Sequence, residues 1–454
     1  MSKKSSIVSK IGTLIFTIFI VTILFVAYKV YRANYFNEFY KAEYNLNVTK
    51  FSRDGEVKYS NNYSYKMQSN DYNDAMFYKT VSVEKNTSYK VSCMVKTENV
   101  VPQKDISSSG AQICLSETVY SSRSITGTND WQKLEFIFNS RNNDTVDIGF
   151  RLGGNGENCK GTAWFSDFKL EKGIYTEDSN WNMVCFIFKN IDVIIEQNGE
   201  KKALKFSMSN EDIESMKDNM ERFKQTCSAL SENKMSMSYK IIEIDKPITS
   251  ISYDEEHGYY IDPIDVKNII DEYVKQDNYD HIFVAVRLGD MLQEIPVYDW
   301  IGLGGMDYYG IGFSNIRLPN DTSKSYTYKY NQYVNVFPEE VFLHEFLHSL
   351  ERDLKEYGYE IPALHDNEKY GYEHKPLIGL KNWYKDYMTC KIWDSKQNKY
   401  VGLNEIVYKL KPAHESDFIN AEEITFIKEP NNVIEDVIAV VKSLSRAIND
   451  MKEE

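Results

Sequence analysis

The sequence predicts a multidomain chain: an N-terminal transmembrane helix, an all-β sandwich, and an α+β domain. Three observations predict it. Eighteen uncharged residues, "IGTLIFTIFIVTILFVAY", lie between Lys10 and Lys29. Residues 34–174 carry short runs in which apolar and polar side chains alternate, separated by Gly- and Asn-rich turns. From residue 175 onward, strand-like runs alternate with apolar stripes of helical period. The domains are read as 1–33, 34–174 and 175–454.

The first segment, as a helix, spans roughly 27 Å, close to the hydrocarbon thickness of a bilayer. Lys3, Lys4 and Lys10 precede it, and Lys29 and Arg32 follow it. A first segment of this kind is expected with its N-terminus in the cytoplasm. No good small-x-small cleavage site follows the apolar run, which favours an uncleaved signal-anchor. The rest of the chain is then extracytoplasmic, and secreted if the helix is cleaved. The formal charge of −14 leaves no basic stripe for nucleic acid.

In the second segment, "YKVSCMVK" sets Tyr89, Val91, Cys93 and Val95 against Lys90, Ser92 and Lys96. "WQKLEFIF" aligns Leu134, Phe136 and Phe138, and "VDIGFRL" aligns Val146, Ile148, Phe150 and Leu152. Period two marks strands buried on one face, and several at this spacing predict a sandwich. Six cysteines are too few for a disulfide scaffold, though Cys93 and Cys114 fall in this domain and are candidates to pair. The strand order of "NTSYKVSCMVKTENV", "WQKLEFIF" and "GTAWFSDFKLEKG" resembles the jelly roll of carbohydrate-binding modules. The resemblance implies glycan binding, with Trp131 and Trp164 as candidate stacking platforms; a spacer without ligand is the other reading.

In the third segment, Ile213, Met216, Met220, Phe223, Cys227 and Leu230 form one helical stripe, capped by Ser209. Asp262 and Pro263 open a second helix carrying Val266, Ile269, Ile270 and Tyr273 inward. "HIFVAVRL" reads as a buried strand. "IGLGGMDYYGIGFSNIRLP" has no phosphate-loop spacing; its glycines predict close backbone approach or a bulge. Near the C-terminus, Val433, Val437, Val441, Leu444 and Ile448 mark an amphipathic packing helix.

The chemistry concentrates in "VFLHEFLHSLERD", Val341 to Asp353. The stretch reads as a helix over 338–357, with Pro338 first, Glu339 and Glu340 at its positive end, and Gly358 after it. His344 and His348 lie one turn apart on one face, with Glu345 beside them. Polar groups in an apolar helix need compensation. A Zn²⁺ ion bound by two neutral imidazoles supplies it, and a carboxylate alongside can take a proton from water.

This HExxH segment resembles the zincin metallopeptidases, over about residues 180–410. The resemblance implies a zincin-like α+β metallopeptidase fold with His344 and His348 as ligands and Glu345 as general base in peptide-bond hydrolysis. It further implies an edge strand that holds an extended peptide, placed here at Gly310–Arg317. A third ligand is required. The metzincin spacing is absent, because Glu351 and Leu354 occupy its Gly and His positions. Glu368 follows Asn367 at the spacing of thermolysin-like enzymes, but Tyr372 stands where they carry Asp. His365 is the preferred third ligand and Glu368 the alternative. Glu351 is a candidate partner for an imidazole N–H, Met388 for a methionine turn, and Tyr370, Tyr372 or Tyr387 for an oxyanion donor. The expectation is a membrane-anchored extracytoplasmic zinc metallopeptidase acting on peptides or proteins. Its rivals are a catalytically silent surface adhesin that binds glycans, and a zinc amidase acting on cell-wall or glycan-linked amides.

Overall fold

The computed structural model describes residues 39–424, apart from 61–62, 104–108, 117, 119, 155–156, 175–177, 278, 299, 319–338, 357–358 and 376–377. The expected transmembrane segment, Pro338, Tyr357, Gly358 and the expected C-terminal helix all lie outside the described residues. Among the described residues, no helix is long and apolar enough to cross a membrane.

Nine strands build a β-sandwich: β1 (Tyr40–Glu43), β2 (Thr49–Asp54), β3 (Ser64–Asn73), β4 (Ala75–Ser82), β5 (Ser88–Pro102), β6 (Gly110–Leu115), β7 (Gly127–Asn139), β8 (Thr145–Gly153) and β9 (Cys159–Lys172). One sheet has the order β1-β4-β8-β6, the other β2-β3-β9-β5-β7. Neighbours are antiparallel throughout. From β3 to β9 each strand crosses to the opposite sheet, which is the jelly-roll pattern. The alternation places Tyr89, Val91, Cys93, Val95, Leu134, Phe136, Phe138, Ile148, Phe150 and Leu152 in the shared core. Cys93 and Cys114 are buried but free, on strands of opposite sheets. Trp164 is also buried, and its Nε1 donates to Asp54 Oδ2 at 2.9 Å. It lies on the face of its sheet opposite the core residues Ala163 and Phe165, with the Lys66 Nζ 5.0 Å from its ring centroid, so that ring is covered rather than free for stacking. Trp131 is half-buried against Tyr59, with ring centroids 5.8 Å apart.

The next elements are β10 (Asn180–Phe188), a hairpin of β11 (Asn190–Gln197) and β12 (Glu200–Ser207), helix α1 (Asn210–Leu230), β13 (Ser236–Ile244), β14 (Ser252–Asp254), β15 (Gly258–Tyr260) and helix α2 (Pro263–Asp277). After them come β16 (His281–Val286), β17 (Gly302–Tyr308), β18 (Ile311–Arg317), helix α3 (Glu340–Glu356), helix α4 (Lys381–Met388), β19 (Ile392–Asp394), β20 (Lys399–Val401) and β21 (Glu422–Ile424). A five-stranded sheet runs β13-β10-β16-β18-β17. All its pairs are parallel except β17–β18. Ser209 caps α1 in a capping box with Asp212, and the predicted stripe of α1 is buried. Both sheet faces are covered, so its central strands are apolar on both sides. Met183, Cys185 and Ile187 of β10 pack with α1, α3 and α4. Val184, Phe186 and Phe188 pack with α2 and the β11–β12 hairpin.

The glycine-rich run folds differently from the expectation. Gly310–Arg317 is not the sheet edge; it contributes the inner strand β18, and β17 is the edge. Tyr309 (φ 51°) and Gly310 (φ 88°) take the left-handed conformation and turn the run into a hairpin. The chain also returns to the sandwich, because β21 pairs antiparallel with β9.

Candidate metal centre

Helix α3 lies across the sheet with Phe342, Leu343, Phe346, Leu347, Leu350 and Leu354 buried beneath it. That packing leaves His344 and His348 half-buried, pointing away from the core. His365, from the loop after α3, meets them. The three Nε2 atoms lie 2.9 Å (His344–His365), 3.1 Å (His344–His348) and 3.2 Å (His348–His365) apart. Among the described residues this is the group whose donor atoms are arranged to hold a metal ion. Glu368 sits exposed on a 3₁₀ turn and is not part of it.

The loop reaches this point because its backbone is fastened from both sides. Trp383 Nε1 of α4 donates to the Leu364 carbonyl at 2.9 Å, and Tyr387 Oη donates to the Pro362 carbonyl at 3.2 Å. Glu351 Oε2 accepts the Leu364 N–H at 3.3 Å. The same Glu351 oxygen lies 3.4 Å from His348 Nδ1. Burial acts upward on the Glu351 carboxyl, but His348, Lys355 and the Leu364 amide together bring it down to about 2. An ionised acceptor there places the His348 proton on Nδ1 and leaves Nε2 as a bare lone pair.

His344 is oriented by a residue that the sequence reading did not select. Its Nδ1 lies 3.0 Å from Tyr384 Oη, and the Tyr384 hydroxyl is bonded to the Glu340 carboxylate. A phenol that donates to a carboxylate accepts from the imidazole, so this Nε2 also faces the cluster as a lone pair. The three tyrosines named from sequence do other work. Tyr372 donates to Asp386, Tyr370 to Asp394, and Tyr387 fastens the loop. Met388 is fully buried, and its carbonyl accepts from Tyr408 Oη.

The donor set fits a zinc ion. Tetrahedral zinc with bonds of about 2.0–2.1 Å separates its nitrogens by roughly 3.3 Å, a few tenths of an ångström more than seen here. Burial, then the neighbouring imidazoles, push His344 well below the usual histidine range, and His365 falls for the same reasons. Neutral imidazole is the form a metal takes.

Glu345 is buried beside the cluster, under the edge strand. A Cβ on Gly302 would lie 2.5 Å from Glu345 Cγ and Oε1, and one on Gly304 would lie 2.4 Å from the Glu345 carbonyl oxygen. The glycines therefore permit strand and helix backbones to touch. Between Leu303 and Met306 the pairing slips into a bulge, with Gly305 at φ 77°. The Gly304 amide donates to the Glu345 carboxylate, yet burial outweighs it and pushes the carboxyl up to about 8.

Gly304→Ala is expected to destabilise the fold by about 1–3 kcal/mol, because the clash is with backbone that cannot rotate away. Gly55→Ala, where a Cβ would meet nothing within 4 Å, is the control. Urea unfolding monitored by tryptophan fluorescence checks both; equal midpoints would refute the packing argument.

No protein-family model matches the chain. No curated protein matches it either. Similar solved structures include the enzymatically active domain of tailspike protein 4 from bacteriophage CBA120, at 10% identity over 29% of this chain and 19% of that chain, TM-score 0.23. TmCBM61 in complex with β-1,4-galactotriose is 14% identical over 29% of this chain and 86% of that chain, TM-score 0.21. The CBM22-1–GH10 modules of the Clostridium thermocellum endo-1,4-β-D-xylanase 10B, complexed with xylohexaose, are 12% identical over 32% of this chain and 30% of that chain, TM-score 0.20. The chain thus spans about a fifth of the first of these. At such TM-scores the likenesses carry no argument, and the jelly-roll description rests on strand order.

Proposed function

We propose that the chain is a zinc-dependent metallopeptidase, with His344, His348 and His365 as metal ligands and Glu345 as general base. The observation that carries this reading is the convergence of three Nε2 atoms beside a buried carboxylate, next to a sheet edge. Zinc, when bound, supplies a Lewis acid for the scissile carbonyl and makes water easier to deprotonate. Glu345 takes the proton from the attacking water and returns it to the leaving amine. Gly302 and the Gly304 amide hold that carboxylate in one position. The edge strand β17 pairs with an extended peptide as an added strand. Membrane anchoring and extracytoplasmic placement, read from residues 11–28, belong to the same proposal.

The test is a peptide-library digest with the purified chain, read by mass spectrometry. Cleavage is expected, lost on chelation and restored by zinc. A second reading, a silent glycan-binding surface protein, is favoured by the jelly-roll strand order. A cavity of about 400 Å³ in the sandwich, lined in part by Tyr78, Thr118, Tyr120, Asn143 and Asp147, is where a sugar would sit. Stoichiometric zinc without cleavage, together with binding on a glycan array, would replace the peptidase reading with this one. Release of amide products from glycan fractions without peptide cleavage would point to an amidase.

A further inference from the structure

We propose that Arg141 of the β-sandwich is a positioning residue for the metal centre, and that it makes the sandwich a structural part of the hydrolytic unit rather than an appended module. The inference rests on the metallopeptidase reading. Arg141 lies in the turn between β7 and β8, far in sequence from α3, yet it is only 6% exposed. Its backbone is held in the left-handed conformation, φ 53°, which is unusual for a residue other than glycine. Asn139 Oδ1 accepts the Arg141 N–H at 2.7 Å and fixes that turn. Backbone conformations of this kind persist where the surroundings over-determine them.

The surroundings here are the C-terminal turn of α3. Arg141 Nη1 donates to the Asp353 carbonyl at 2.9 Å, and Nη2 donates to Tyr120 Oη at 2.7 Å and lies 3.5 Å from Asp353 Oδ1. The Asp353 carbonyl is among the last four of the helix, which have no partner inside it, and a cation at this end interacts favourably with the negative end of the helix dipole. Asp353 Oδ1 in turn accepts from Arg352 Nη2 at 2.9 Å and Nε at 3.2 Å. Arg352 then reaches the edge strand: Nη1 donates to the Gly305 carbonyl at 2.9 Å, and Nη2 to Asp307 Oδ2 at 3.4 Å.

The path from the sandwich to the site is therefore short and continuous. Gly305 is the bulge residue of β17, where a Cβ would be 3.9 Å from His348 Cβ, and the neighbouring Gly304 touches Glu345. Tyr120 packs on Gly310 in the turn that closes the β17–β18 hairpin. Two arginines and two aspartates balance in charge, so removing the Arg141 guanidinium leaves two largely buried carboxylates sharing the one guanidinium of Arg352.

The test uses the full chain loaded with zinc, comparing wild type with Arg141→Gln, Arg141→Lys and Tyr120→Phe. Hydrogen exchange is expected to rise roughly tenfold over 302–308 and 350–356 in Arg141→Gln, and to stay unchanged over 180–188 and 236–244. In the same preparation kcat should fall by about 10²-fold while KM moves less than about threefold. Arg141→Lys should recover part of both, because it restores the charge without the fork. Unchanged exchange in the two segments, or a uniform rise everywhere, overturns the proposal. If Arg141→Gln does not fold, Tyr120→Phe, which removes only a hydroxyl, carries the same comparison with a smaller shift. Exchange that rises locally while kcat holds overturns the positioning role and leaves the peptidase reading intact. Absence of cleavage by wild type overturns the peptidase reading, and with it this role, while the exchange comparison still decides whether Arg141 holds α3.

Discussion

Glu345→Gln is expected to reduce peptide cleavage by about 10²–10⁴-fold, the range for loss of a general acid–base group. Zinc content should remain stoichiometric, since Glu345 is not among the three converging imidazoles. The substitution is close to isosteric in a buried site, and its amide oxygen still accepts from the Gly304 N–H that serves the carboxylate. What it removes is the capacity to accept and return a proton. The relevant measurement is kcat/KM on a fluorogenic peptide alongside metal analysis of the same sample. A variant that keeps its zinc and loses less than about tenfold in rate would mean that another group serves as base.

The parts of this site that are legible in sequence are those fixed by local geometry. His344 and His348 meet one turn apart on one helix, with Glu345 offset beside them, because of helical periodicity, whatever the rest of the chain does. The return of His365 is a different matter. It depends on Trp383, Tyr387 and Glu351 gripping the backbone of residues 362–364, which are contacts across 13 to 25 positions. In sequence His365 ranks above Glu368 because Tyr372 stands where the thermolysin-like pattern carries Asp. Tyr384 was not legible at all. It is one of 34 tyrosines, and its role follows from how α4 packs on α3.

The fold shows the same division. Alternation identified the sandwich strands, and apolar stripes identified α1 and α2, because each pattern reports a single element against its core; Val266 and Ile270 of α2 are buried as expected, but Tyr273 is exposed. The glycine run misled in one respect. Its close approach to another backbone was expected, but the hairpin turn at Tyr309 and Gly310 was not, so the edge role went to the wrong strand. Contacts between the sandwich and the rest of the chain leave no periodic trace. Arg141 on Asp353, Ser88 on Asp417 at 2.6 Å, and the β21–β9 pairing join residues hundreds of positions apart. Only tertiary structure brings them together.

The third ligand gives the second large effect. His365→Ala is expected to weaken zinc binding by more than the roughly 10–100-fold that follows loss of an outer partner of a ligand, and to abolish measurable cleavage at submicromolar free zinc. Two imidazoles on α3 then remain, with solvent in place of the third, and the loop that closes the cluster is left without a donor. Glu368→Ala should leave both zinc affinity and rate within about twofold, since an exposed side chain away from the metal contributes little. His344→Ala and His348→Ala belong in the same series as references for the loss of a ligand. The comparison is made by competition with a chromogenic chelator, followed by activity at matched free zinc. If His365→Ala retained wild-type affinity while Glu368→Ala lost it, the metal would be held by two histidines and a carboxylate. The loop would then have to rotate on binding, past the bonds that Trp383 and Glu351 make to Leu364. Those bonds oppose such a rotation, which is the physical reason to expect His365.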